Sequence, residues 1–277
     1  MIKVLKKGLH TSIQDLGRFG YRNFGIPLSG AMDTEAAKLS NLILGNDEND
    51  AVMEITLQGP RLQFLNAKQI AITGADLNPE INGISIEMNT NISIQKGDII
   101  DFGVRKTGVR SYLAIAGGFQ TELVFGSRSF YEGITTKDKI ESGDELDFSI
   151  MQAPLDSSFI KFSNQKYDKP KLSVNQGPEF EMLNDEQKQF LFSKAFTLGL
   201  NNRMAYQLKE TLANDLSSIL SSAVLPGTVQ LTPSGKMIIL MRDCQTTGGY
   251  PRILQLSDES INLLAQKMQH ELVKFTF

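Results

Sequence analysis

The feature that most constrains this chain is a two-residue hydrophobic alternation that restarts repeatedly between turn residues. In residues 51–57, Met53, Ile55 and Leu57 fall on one side and Val52, Glu54 and Thr56 on the other, the period of a strand with two distinct faces. Ile70 and Ile72 continue the pattern, followed by Ile84, Ile86 and Met88, and then by Ile92 and Ile94. Residues 111–116, 145–148, 229–232 and 237–241 read as further strands. Short strands broken at roughly ten-residue spacing by Gly, Asn or Asp predict a barrel or sandwich. Hydrophobic residues make up 41% of the 277, enough for a full core, and this length admits one large domain or two small ones.

Helices are few. Asp33 is a plausible N-cap, Glu35 suits the positive end of the dipole, Ala36, Leu39 and Ile43 share a side, and Gly45 offers a stop. A second helix is expected after Asn184, through Phe190 and Leu191. A third, capped by Ser257 or Asp258, carries the stripe Ile261, Leu264, Ala265 and Met268. Weak internal repetition is also present. Residues 96–102 (KGDIIDF) resemble 142–148 (SGDELDF), Gly59-Pro60 matches Gly177-Pro178, and residues 14–21 loosely echo 245–250. These predict two related β-rich halves, residues 1–151 and 171–277, joined by the polar stretch 152–170.

Composition excludes several chemistries. The net charge is −3 and no basic stripe is visible, so nucleic acid is a poor candidate partner. No stretch approaches the ~20 apolar residues that span a bilayer, and the first residues lack a signal-peptide core, so a cytoplasmic chain with no membrane partner is expected. The single cysteine, Cys244, rules out an intrachain disulfide and a cysteine metal cluster, and no metal site is expected. A reactive Cys244 thiol would lack a nearby histidine. The histidines are His10 and His270 alone, and His270 is read as a cation at the end of the third helix. Gly235-Lys236 is followed by Met237, which breaks the phosphate-loop pattern, and neither a G-x-S-x-G elbow nor an H-E-x-x-H helix occurs. Any chemistry must use carboxylates, amides, hydroxyls and arginines.

Five glycine-punctuated polar segments are the candidates. The first holds Gln14, Asp15 and Arg18, with Asp15 and Arg18 close enough to brace a turn or to wall a groove. The second is Ser29, Gly30 and Asp33 at a helix start, where a cap and an anion site compete. In the third, Arg110 opens an otherwise apolar strand, and its charge must find a carboxylate: Glu54 or Asp33 in this chain, or one on a substrate. The fourth contains Arg203. The fifth is Pro233-Ser234-Gly235 and then Arg242 to Arg252 through Asp243, Gln245, Thr246 and Tyr250.

Taken in order, these segments resemble the KipA-like family, which is related to allophanate hydrolase subunit 2 and to the carboxyltransferase region of urea carboxylase. The shared pattern is Q-D-x-G-R-x-G (14–20), P-x-S-G-A-x-D (27–33), A-x-x-E-x-T-x-x-G-P (51–60), Y-L-A-x-A-G-G (112–118), G-S-R-S (126–129), Arg203-Met204, P-S-G (233–235) and Q-T-T-G-G-Y-P (245–251). Two positions depart from many relatives, Ala205 for Gly and Cys244 for a small aliphatic residue. Neither removes a titratable group that chemistry could need. The resemblance implies a cyclophilin-like β-barrel fold in both halves and, as activity, the C-subunit part of an ATP-dependent 5-oxoprolinase. Such a complex opens the lactam of 5-oxoproline to L-glutamate together with a KipI-like B subunit and an A subunit, and the chain is expected to be inactive alone. ATP is then handled wholly or partly by the partners. Two alternatives remain. One is a biotin-dependent carboxyltransferase, with biotin on another protein because no Met-Lys-Met tripeptide occurs. The other is a non-catalytic regulator that binds a KipI-like kinase inhibitor. Under the enzyme reading, Asp15, Asp33 or Asp243 would supply a base. Gln14, Arg18, Ser29, Gly30, Arg110, Arg203, Gln245, Thr246 and Tyr250 would contact substrate, the loops of both halves lining one cleft.

Overall fold

The protein is described by a computed structural model that covers residues 1–149 and 167–277. Most of the expected junction 152–170 therefore lies outside the described residues. The chain forms two compact units, one of Met1–Arg18 with Ser29–Tyr167 and one of Phe19–Leu28 with Asp168–Phe277. It is mainly β, with three α-helices among the described residues.

The first unit contains β1 (Ile2–Lys6), β2 (His10–Gln14), β3 (Val52–Thr56), β4 (Arg61–Phe64), β5 (Lys68–Asp76), β6 (Pro79–Ile81), β7 (Ile84–Ser85), β8 (Ile92–Ile94), β9 (Ile99–Phe102), β10 (Thr107–Ile115) and β11 (Glu145–Leu146). They pair as a six-stranded sheet, β11-β1-β4-β9-β6-β7, and a five-stranded sheet, β2-β3-β10-β5-β8. A core of Ile2, Val4, Leu62, Phe64 and Ile100 from the first sheet and Ile13, Met53, Ile55, Ile70, Ile72, Leu113 and Ile115 from the second holds them together. The helix α1 (Thr34–Ile43) covers the other face of the five-stranded sheet, where Ala36, Ala37, Leu39 and Ile43 pack on Val52, Ala71, Tyr112 and Ala114. This three-layer arrangement explains why β10 is apolar on both faces. Leu113 and Ile115 face the inter-sheet core, and Tyr112 and Ala114 face the helix. The two repeat-like segments 96–102 and 142–148 both belong to this unit, each a Gly-Asp turn that enters a strand of the six-stranded sheet.

Three strand expectations shorten, the run 145–148 to Glu145–Leu146 with an isolated bridge from Phe148 to Phe119. Leu57 lies beyond β3 with φ 61°, because its N–H turns to the Val109 carbonyl at 2.9 Å. Of the run Ile84, Ile86 and Met88, only Ile84 is in a strand, β7 being two residues long, while Ile86 and Met88 pack against the inter-sheet core from a loop.

The second unit contains β12 (Lys171–Gln176), β13 (Phe196–Asn201), β14 (Ala205–Thr211), β15 (Ser222–Ala223), β16 (Thr228–Leu231), β17 (Lys236–Leu240), β18 (Thr247–Gly248), β19 (Arg252–Leu256) and β20 (Leu272–Thr276). Seven of these close a barrel in the order β12-β19-β16-β17-β14-β13-β20, and β15 and β18 form a separate two-stranded ladder. The barrel closes through β12 and β20, which run parallel. Val174, Leu198, Leu208, Val229, Leu231, Met237, Ile239 and Leu254 are all buried at alternate strand positions, as a small filled barrel requires. Two helices accompany it. Asn184 caps α2 (Asp185–Ser193) in a capping box with Gln187, and Ser257, whose Oγ accepts from Ser260 N, caps α3 (Asp258–Ala265). His270 is not at a helix end. The helix stops at Ala265, and His270 follows in a turn at φ 74°, where Lys209 Nζ donates to its Nδ1 at 2.7 Å.

Residues Phe19–Leu28, part of the first half in the sequence reading, cluster with the second unit. The anchor is Arg22, which donates through Nη2 to the carbonyls of Val224 and, at 3.4 Å, Thr246.

Candidate functional site

The candidate residues divide between the units, and each unit brings its own share together. In the first, Asp15 follows β2 directly and its carboxylate is the hub of two loops. Oδ1 accepts from Gly17 N at 2.8 Å, Ser127 Oγ at 2.7 Å and Ser129 Oγ at 2.6 Å, and Oδ2 accepts from Arg128 N at 2.6 Å. The expected Asp15–Arg18 brace is replaced by this serine clamp. Arg18, fully buried, instead donates through Nη2 to the Ser129 carbonyl. Gln14 lies on the same seam, its Nε2 donating to Ser12 Oγ at 2.9 Å and to the Phe130 carbonyl at 3.3 Å. The Q-D-x-G-R and G-S-R-S motifs, more than a hundred residues apart, are thus one hydrogen-bonded structure.

Ser29 and Gly30 return the chain against this seam. Both have positive φ, 59° and 88°, and a Cβ on Gly30 would lie 2.8 Å from the Leu16 carbonyl carbon and 2.9 Å from Gly17 N, so only glycine fits there. Ser29 is buried and its Oγ has no hydrogen-bond partner among the described residues. A left-handed serine with an unused buried hydroxyl carries two costs at one position. Ser29→Gly is expected to raise chain stability by about 1 kcal/mol, read as a higher urea midpoint at unchanged slope. A lowered midpoint would show that the side chain supports the fold.

Asp33 caps α1, accepting through Oδ1 from Ala36 N at 3.1 Å, while Oδ2 accepts from the Tyr167 hydroxyl at 3.3 Å. Its backbone N–H donates to the Tyr112 hydroxyl at 2.7 Å, and that hydroxyl donates to Glu54 Oε2 at 2.9 Å. Glu54 also accepts from Met32 N at 2.8 Å, and its Oε1 lies 3.6 Å from Arg110 Nε, with both side chains buried. Glu54, one of the two intrachain carboxylates expected for Arg110, therefore lies beside it. Burial raises the Tyr112 hydroxyl pKa well above the ordinary tyrosine value, and the negative charges of Glu54 and Asp33 push it further, so Tyr112 acts here as a neutral donor. Burial and Asp33 raise the Tyr167 hydroxyl pKa in the same way.

In the second unit, Arg203 and Asp243 form a two-pronged pair, with Nε to Oδ2 at 2.7 Å and Nη2 to Oδ1 at 3.0 Å, and the Asp243 N–H returns to the Arg203 carbonyl at 3.0 Å. These two candidates, forty residues apart, hold each other and set Met204 at the surface, 44% exposed. Gln245 and Thr246 lead into the β15–β18 ladder, in which Ser222 pairs with Gly248 and Ala223 with Thr247. Tyr250 closes the loop at 39% exposure. Cys244 is fully buried against Val224 and Leu240, and burial pushes its thiol up to about 11, outweighing the Arg22 guanidinium beside it. This is the signature of an inert core thiol.

Three residues of this neighbourhood carry no sequence signal of their own. Arg22 ties the segment after Arg18 to the ladder. Glu179 receives Arg252 through Nε at 2.9 Å and Nη2 at 2.8 Å, which holds the Glu179 carboxyl below its usual range against a smaller desolvation effect. Gln230 lies under Gly248, where a Cβ would be 2.4 Å from its Nε2. A QTTGG run shows that main chain must come close to something, but only the fold identifies what.

The oxygens of Asp15, Asp33 and Asp243 are all engaged by donors of the chain itself. Such contacts order the loops that carry them. No group of three or more His, Cys, Asp or Glu residues suited to a metal occurs among the described residues, and no helix there is long and apolar enough to cross a membrane.

Comparison with known proteins agrees with this architecture. The model of the carboxyltransferase domain, subdomain A and B, matches residues 24–277. The chain is 32% identical to the C subunit of the 5-oxoprolinase of Escherichia coli over 277 aligned positions, covering 96% of this chain and 87% of that protein. Among solved structures, TTHA0988 superposes with a TM-score of 0.89 at 26% identity over 100% of this chain, which spans about half, 55%, of that one. The urea carboxylase of Kluyveromyces lactis gives a TM-score of 0.83 at 26% identity, covering 99% of this chain and 27% of the longer one. With its motifs in order, its fold matched along the whole length and its E. coli relative nearly coextensive, the chain belongs to the carboxyltransferase subdomain A and B family, which includes the C subunit of 5-oxoprolinase.

Proposed function

We propose that this chain is the C subunit of an ATP-dependent 5-oxoprolinase and acts with a KipI-like B subunit and an A subunit to open 5-oxoproline to L-glutamate. The observation that carries the reading is its near-coextensive match to the C subunit of the E. coli 5-oxoprolinase. The match to urea carboxylase takes in about a quarter of a much longer protein. A lactam is a poor electrophile. Transfer of the ATP γ-phosphoryl group to its carbonyl oxygen, with release of ADP, would activate the carbon. Water addition, ring C–N cleavage and loss of phosphate would then give glutamate. In this scheme the chain's engaged carboxylates rigidify the loops, its amides and hydroxyls position the lactam, and phosphoryl transfer and water activation draw on the partner subunits.

The fold shared with urea carboxylase supports a second reading, a carboxyltransferase served by carboxybiotin on another protein. Incubating the co-purified complex with 5-oxo-L-proline and ATP separates the two. Glutamate and ADP released in equal amounts, unaffected by avidin, are expected. Avidin-sensitive turnover would move the assignment to the carboxyltransferase. Tight binding of the KipI-like partner with no turnover would move it to a regulator.

A further inference from the structure

Strand β16 turns Val229 and Leu231 to one face and Thr228 and Gln230 to the other. On that second face, Thr228 Oγ1 donates to Gln255 Oε1 at 2.9 Å, so its hydroxyl is used. Gln230 differs. It is 2% exposed, and its Nε2 has no hydrogen-bond partner among the described residues. Its cross-strand neighbours are Ile238 on β17 and Arg252 on β19, and Arg252 is already committed to Glu179 and to the Ala223 carbonyl. A buried carboxamide donor left unpaired is costly, and an apolar side chain of similar size would avoid that cost.

What covers the amide is specific. The β15–β18 ladder lies over it, with Gly248 directly above and Val224 beside it, the latter 3.2 Å from a Cβ placed on Gly248. Any side chain at 248 would strike the amide. The ladder itself is tied down by arginines bonded to its main-chain carbonyls, Arg22 to Val224 and Thr246, and Arg252 to Ala223. Leu220 and Leu225 flank it, 92% and 54% exposed. The ladder therefore covers one unpaired amide with its underside.

We propose that the ladder is a lid and that, when it lifts from these arginine contacts, Gln230 recognises the cis-amide edge of the substrate. Its Nε2–H donates to the substrate carbonyl oxygen, and its Oε1 accepts from the adjacent substrate N–H. A carboxamide is self-complementary to this edge, and a lactam presents N–H and C=O on the same side because the ring fixes the amide cis. Urea presents the same edge, so one residue type serves both substrate classes that the names of the relatives contain. The choice of 5-oxoproline as ligand rests on the function proposed above, whereas the amide-edge geometry does not.

The test follows the Gln230 side-chain NH2 signals of the 15N-labelled full chain, assigned by their loss in Gln230→Met. With 2-pyrrolidinone or 5-oxo-L-proline these signals should shift and saturate. With N-methyl-2-pyrrolidinone, which lacks the N–H, they should stay in place. Signals that ignore both lactams, or that move equally with the N-methyl compound, overturn the proposal. In the assembled complex, Gln230→Met should lower kcat/KM for 5-oxo-L-proline at least tenfold while the isolated variant unfolds at an equal or higher midpoint. Undiminished turnover overturns the proposal and leaves the reaction assignment standing. A complex that forms no glutamate although the lactam shifts persist overturns the reaction assignment and leaves Gln230 its role.

Discussion

Glu54→Ala should destabilise the chain by about 4 kcal/mol, the largest single effect expected outside the barrel core. Glu54 is 1% exposed and receives Met32 N, the Tyr112 hydroxyl and the nearby Arg110 charge. Truncation removes a charge-assisted acceptor from two donors and a buried negative charge from beside the Arg110 guanidinium. The double variant Glu54→Leu with Arg110→Met should recover most of the loss, because removing both charges also removes the desolvation each one suffers. Urea unfolding of the single and double variants checks both statements. A single variant within about 1 kcal/mol of wild type would mean that Arg110 reaches water or another anion. The same double variant tests whether Arg110 serves substrate as well. If its charge serves only Glu54, the double variant retains turnover in the complex. If it also binds a substrate carboxylate, the double variant is stable and inactive.

Asp15→Ala should cost about 3–4 kcal/mol, since four donors on two loops lose one acceptor at once and hydrogen bonds to a charged group are worth about 1.5–3 kcal/mol each without being additive. Asp15→Asn should be nearly as damaging. Its amide nitrogen can accept nothing and would face one of two main-chain donors, Gly17 N or Arg128 N. Raised amide exchange in residues 126–130 and 15–18 of the alanine variant locates the damage. Wild-type stability together with lost turnover would instead make Asp15 a proton-transfer residue. The expected order is the reverse, with stability falling first and turnover following it.

The legible parts of the fold were those written in local chemistry. Asp33, Asn184 and Ser257 cap their helices because a short polar side chain before an amphipathic run has one main use. The alternation at 52–56 marked a strand, but Leu57 left it because the chain turns to Val109, a contact that no periodicity encodes. The apolar run of β10 was readable as a strand and silent about α1, which makes its second face buried. Among the site residues, Arg110 announced its need for a carboxylate, since charge inside an apolar strand is intolerable alone, and Glu54 was one of the candidates named. Asp15 looked like a partner for Arg18, three residues away, yet its true partners are Ser127 and Ser129, more than a hundred residues on. The same holds for Arg203 with Asp243 and Glu179 with Arg252. Long-range polar pairing depends on strand order, which the chain does not spell out. Gln230 was invisible because an unpaired amide is recognisable only once its surroundings are known.

The central claim is that this chain is an indispensable subunit of a lactam-opening enzyme. The direct measurement is glutamate formation from 5-oxo-L-proline and ATP at fixed A and KipI-like subunits while the purified chain is titrated in. The account predicts no glutamate at zero addition, a rise with added chain, and a plateau at a fixed stoichiometric ratio. A rate that is already maximal before any chain is added would contradict it.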